Sequence, residues 1–269
     1  MKKILSLVIS VAILAFMYWK IGPEDRARLL EIFRNADSLW MVLSLAMVVP
    51  LTLFTSWRLQ QLMPSADQLP LGEANKLILV ASVLNLILPS KMGDIAKAYF
   101  LRDRGHLNGS LALSLVVFEK SCDMLSLLLW CVFGLFLYPQ KDGVFWTMTT
   151  AVAVMLVLGC LLLGSKPFAR FFFQLADRFA PRKIKARVGQ LAGSWEEMHD
   201  YFWASKARLF KVTATSVFVW FLHLLQIWMF ILALRGHVFF LENPAFARLH
   251  FVESLALSPL ALLAGLLPV

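Results

Sequence analysis

Two stretches of this chain, 143–165 and 212–234, each run 23 residues without a charged side chain, and 38–57 and 124–140 run 20 and 17. A helix needs about 20 apolar residues to cross the hydrocarbon core, because each residue adds only about 1.5 Å along its axis. Long helices buried in a water-soluble core are the alternative, but they would carry periodic polar faces, and these stretches have none. Composition points the same way. Charged residues make up 16% of the chain and hydrophobic ones 59%, whereas a soluble domain carries about a quarter charged residues. The expected fold class is all-α, a polytopic membrane helix bundle.

Residues 4–20 follow Lys2-Lys3 and form another apolar run, ending in Met17-Tyr18-Trp19-Lys20. Without a small-residue cleavage pattern near its end, this run reads as an uncleaved anchor. Cys122, Cys131 and Cys160 lie inside apolar helices, and an odd count without paired spacing argues for packing residues. No catalytic constellation, metal site or cofactor is expected.

Charge sets the orientation. The stretch 165–211 holds ten basic and four acidic residues, which supply six of the chain's nine net positive charges. The positive-inside rule places it in the cytoplasm, and Lys2 and Lys3 place the N-terminus there too. The loop 20–38 balances four bases against four acids, and 139–142 holds only Lys141 and Asp142, so both suit the outer side. Spans at 4–20, 38–57, 110–138, 143–165 and 212–235 then leave residues 77–90 to begin and end on one face. Their 14 uncharged residues are also too few for a crossing. The expectation is a re-entrant hairpin, which needs a protein-lined or wet cavity around it. A half-buried surface helix ending at Pro89 is the alternative.

A second interrupted run, 254–269, carries Pro259, and its Leu267-Pro268 echoes Leu88-Pro89. Two broken elements entering from opposite faces would suit an inverted repeat with a site near the midplane. The run ends at Val269 without a polar flank, so the sequence is expected to be C-terminally truncated.

The candidate site grows from Glu119, Lys120 and Asp123, three charges within the long helix 110–138. Each would cost roughly 2.5–3.5 kcal/mol unpaired at the centre of a span. Lys120 and Asp123 are three apart and suit a pair on one face. Glu119 and Asp123, four apart, need a further cation, for which Lys91, Lys97, Arg102 and Arg104 are the candidates. One reading is a plain ion-pair brace between helices. The other is a charged vestibule holding an anionic headgroup, with Lys91 and Lys97 as point-charge phosphate ligands and Arg102 as a forked one. Gly93 would allow close backbone approach at the turn, and Asp94 would favour the start of the next helix. His223 and Gln226 form a secondary polar pair, read as interhelical hydrogen-bond partners more readily than as proton carriers. Within 166–210, Phe168, Phe171, Phe172, Leu175 and Phe179 share one helical face, and Ile184, Val188, Leu191, Trp195 and Met198 share another. Both pieces read as amphipathic helices on the inner leaflet. Nucleic acid is not an expected partner.

The segment NLILPSKMGDIAKAYFL (85–101), followed by SLALSLVVFEKSCDMLSLL (110–128), resembles the flippase-like membrane domain of lysyl-phosphatidylglycerol synthetases. The shared elements are Asn85, Pro89, Gly93 and Asp94, then Glu119, Lys120 and Asp123. Many relatives carry arginine where Lys91, Lys97 or Lys120 stand. A second glycine-rich element, expected after Leu267-Pro268, falls beyond Val269. Nothing matches the aminoacyl-transferring domain. The resemblance implies a multi-pass protein of the bacterial inner membrane that binds or translocates an anionic phospholipid or an isoprenoid-linked lipid. Two other readings stand beside it. One is a glycosyltransferase using a lipid-linked sugar, with Glu24-Asp25 in its first outer loop; the other is a scaffold docking a cytoplasmic protein on 166–210.

Overall fold

The computed structural model describes residues 22, 31–32, 34–64, 68–87, 92–104, 107, 109–137, 141–179 and 181–234, with isolated positions 251, 254–255, 258–259 and 262. The anchor at 4–20, Glu24-Asp25, Pro89, Lys91 and most of 254–269 lie outside the described residues. For Arg104 only the backbone is described.

Among the described residues every regular element is a helix. Helices α1 (Ser38–Ala46) and α2 (Val48–Leu62) together make one span of 25 residues. Pro50 has no amide hydrogen to offer the preceding turn, and the chain breaks between α1 and α2 at Met47. Asp37 caps α1, its Oδ1 accepting from the amides of Leu39 at 2.9 Å and Trp40 at 3.3 Å. Then come α3 (Leu71–Ile87) and α4 (Met92–Arg104), which pack against each other. The long α5 (Gly109–Leu137) and α6 (Gly143–Gly164) follow, with Asp142 capping α6 through the Phe145 amide at 2.8 Å. Two more polar helices, α7 (Lys166–Phe179) and α8 (Arg182–Trp203), lead to α9 (Lys206–Leu234). The four helical stretches long and apolar enough to cross a membrane are Ser38–Leu62, Leu111–Leu137, Phe145–Gly164 and Lys206–Leu234. The molecule is an all-α, multi-pass membrane helix bundle.

Helix α5 is the hub and touches α4, α6, α8 and α9. The Asp37 amide donates to the Ala233 carbonyl at 2.8 Å, which joins the start of α1 to the end of α9. At the opposite end Thr215 meets Gln61 at 3.2 Å, and the Trp203 indole donates to the Leu163 carbonyl at 3.0 Å. Apolar side chains pack in layers: Leu59, Leu62, Leu101, Leu115 and Phe118 at one end, and Leu127, Cys131 and Val152 further along α5. Cys122 and Cys131 are buried among them, and Cys160 is exposed.

Two sequence expectations need adjustment. The segment expected to dip at 77–90 begins earlier: α3 starts at Leu71 with Glu73 in its first turn, so Lys76 lies inside the helix. Helix α8 packs part of its apolar face on protein. Its Trp195, Met198 and Phe202 are buried, and Phe202 stacks on Phe118 of α5 with ring centroids 3.8 Å apart. Periodicity marks an apolar face but not its partner, and here the partner is protein. Helix α7 does keep Phe171, Phe172, Leu175 and Phe179 exposed.

Candidate functional site: an ion-paired chamber

Six ionised side chains from three elements converge between the apolar layers. Arg58, one turn before the end of α2, is 2% exposed. Its guanidinium bridges one turn of α5, donating to Glu119 Oε1 at 2.7 Å and Asp123 Oδ1 at 2.5 Å, and it also meets Ser216 Oγ at 3.1 Å. The planar fork suits carboxylates placed four residues apart on one helical face. Lys97 of α4 is buried as well and pairs with the other oxygen of Glu119. Lys120 is held more loosely. Its side chain is 45% exposed, and its ammonium lies 3.4 Å from Asp94 and 3.5 Å from Asp123. From α9 the Trp220 indole donates to Asp123 at 3.3 Å.

These groups line a cavity of about 770 Å³ that also reaches Thr52, Asn85, His223 and Gln226. Among the described residues its three cations, Arg58, Lys97 and Lys120, match its three carboxylates, Asp94, Glu119 and Asp123. Pairing makes the cluster tolerable at this depth, since isolated ions would be expensive there. Some polar capacity is left over: Arg58 Nε and Asn85 Oδ1 are buried without a hydrogen-bond partner among the described residues. A closed brace would have used these groups.

The Asn85–Gly93–Asp94 element shapes one wall. Asn85 Nδ2 faces Asp94 Oδ1 at 3.5 Å. A methyl group at Gly93 would sit 2.2 Å from the Ala81 carbonyl oxygen and 2.6 Å from Asn85 Oδ1. Only glycine allows α4 to start this close to α3. His223 rests beside the Trp220 ring, centroids 5.5 Å apart, and Gln226 donates to the Ser44 carbonyl at 2.9 Å.

The structure thus gathers Asn85, Gly93, Asp94, Lys97, Glu119, Lys120, Asp123, His223 and Gln226 around one chamber. It leaves Arg102 outside, exposed and with its guanidinium 5.2 Å over the Tyr99 ring. Arg58 is the residue that sequence reasoning misses, because it follows an apolar run and reads as a cytoplasmic flank. Two signals were available. The run after it, Leu59–Met63, is again uncharged, so the helix need not end there, and the stacked carboxylates of α5 called for a cation.

Apolar spans packed around a buried ionic chamber define a multi-pass membrane protein with a polar site inside the bundle. The chain belongs to the family described as the lysylphosphatidylglycerol synthase TM region, whose model matches residues 3–269. No curated protein and no solved structure matches it. Family and fold together make this a membrane protein involved in lipid handling.

Proposed function

We propose that the protein binds an anionic or isoprenoid-linked lipid by its headgroup in the ionic chamber and carries it between leaflets. One observation supports this most: a cavity of about 770 Å³, walled by ionised groups, lies inside a bundle of apolar helices. Its described charges balance, so the headgroup is held by exchange of partners rather than by surplus charge. Lys120 is the cation best placed for that exchange, being half exposed and more than 3.3 Å from both of its carboxylates. A phosphate oxygen offers it a shorter charge-assisted bond. Arg58 and Lys97, committed to Glu119, hold the wall in shape. In the same reading the basic 165–211 stretch faces the cytoplasm of a bacterial inner membrane.

Proteoliposomes carrying fluorescent phosphatidylglycerol test this, with leaflet exchange scored by an impermeant quencher. Wild-type protein is expected to accelerate exchange, and Lys120→Ala to slow it about tenfold, as loss of one charge-assisted bond implies. Lys141→Ala, on the exposed turn before α6, is expected to match wild type. Equal rates with and without protein would overturn the proposal.

A further inference from the structure

A second cavity, of about 630 Å³, lies on the other side of Lys120. Its wall is mostly apolar from Leu113 to Leu128 of α5, and among the described residues Asp94 and Lys120 are the charged ones on it. Those two, with Met124, line the ionic chamber as well. The two spaces therefore meet at one seam, polar on one side and greasy on the other.

An apolar hollow on a membrane protein is ordinarily filled by whichever bilayer chain drifts past. Three features set this one apart. It is pinched between α5 and α6 at Gly159, where a methyl group would fall 2.8 Å from Leu125 Cδ2, so the hollow has a floor. It is lined as well by Phe172, Phe173 and Trp195, which belong to α7 and α8 rather than to a candidate span. And its charged pair stands near the middle of α5's lining stretch, about 11 Å along the helix from either end at 1.5 Å per residue. An unbound phospholipid keeps its headgroup at the water boundary, so a chain in this groove with its headgroup at Lys120 is held in a pose the bilayer alone does not offer.

We infer that the groove is an alkyl-chain subsite, which holds one acyl or isoprenoid chain of the lipid whose headgroup occupies the ionic chamber. This rests on the lipid-binding reading above and adds that recognition includes the chain. A headgroup without its chain is then a poor ligand, because burying methylenes supplies much of the affinity.

The test uses full-length protein in nanodiscs containing phosphatidylglycerol with a diazirine near the end of one acyl chain. Crosslinked peptides are mapped after illumination. Adducts are expected on 113–128 and 155–163. Leu158→Trp, which fills the groove from a lining position, should lower them about tenfold, as exclusion of two or so methylenes implies. Val157→Trp adds the same bulk at an exposed neighbour that does not line the groove, and should leave them unchanged. Glycerophosphoglycerol, the same headgroup without chains, should fail to compete. Adducts spread evenly over every exposed apolar face and indifferent to Leu158→Trp would overturn the subsite. That result alongside Lys120-dependent exchange would remove the groove and keep the transport reading. Groove adducts alongside exchange indifferent to Lys120 would remove transport and keep the groove.

Discussion

Arg58 carries more of the site than any other side chain. Its fork joins two carboxylates one turn apart, and its removal strands the buried charge of Glu119 and most of that of Asp123. Taking away one partner of a buried ion pair costs about 3–5 kcal/mol, so Arg58→Leu is expected to lower the thermal midpoint in detergent substantially. Arg58→Lys separates charge from shape. A single ammonium cannot bridge Glu119 and Asp123 as the planar fork does, so this variant should fall between Arg58→Leu and wild type. A midpoint equal to wild type would show that the fork is dispensable. How far the sequence discloses such a site depends on distance along the chain. Glu119, Lys120 and Asp123 are visible as charges out of place in one helix, and Asn85, Gly93 and Asp94 as one short element. Arg58 stands 61 residues before Glu119, and it is brought there by tertiary packing, of α2 on α9 and α9 on α5 and of α2 on α3, α3 on α4 and α4 on α5.

At the scale of helices, periodicity disclosed the faces of α7 and α8 but not what covers them. The α8 stripe meets α5, and α7 is tied to α8 by Arg170 to Glu196 at 2.7 Å and Lys166 to Asp200. Exposed pairs of this kind contribute little on their own. Beside the elbow between α6 and α7, His199 is buried between Trp195 and Trp203 of its own helix, ring centroids 5.1 Å and 5.5 Å away, and Trp203 in turn donates to the Leu163 carbonyl. Burial first, and then the Lys166 ammonium, hold its imidazole below the ordinary value of 6.5, while Asp200 pulls the other way. Between its lowered value and 6.5 the unfolded chain binds the proton and the folded one does not. Stability is therefore present above 6.5 and is lost as pH falls through the lowered value. Wild type is expected to lose thermal stability between pH 7.5 and 5, and His199→Phe to lose less. Equal losses would mean that the elbow is indifferent to this imidazole.

For the molecule as a whole, the topology turns on how α3 and α4 lie relative to the bilayer. Helix α4 carries Asp94, Lys97, Arg102, Asp103 and Arg104 within 13 residues, and it cannot face lipid along its length. Helix α3 has 17 residues, about 25 Å at 1.5 Å each, and its first six include Glu73 and Lys76. Its uncharged part is too short for a hydrocarbon core of about 30 Å. The two helices pack as a hairpin, with the Gly93 backbone against Ala81 and Asn85. A hairpin that enters and returns keeps the spans before and after it in register with the charge pattern. If α3 crossed alone, every later span would invert, and the ten bases of 165–211 would face outward. Single cysteines decide between these. With Cys160, the exposed native thiol, changed to serine, cysteines replacing Lys76 and Asp103 are expected to react with impermeant reagent from the same side as one replacing Lys206, and one at Lys141 from the opposite side. Labelling of positions 76 and 103 from opposite sides would make α3–α4 a crossing. The ionic chamber, whose wall these two helices form, would then need a different route to both leaflets.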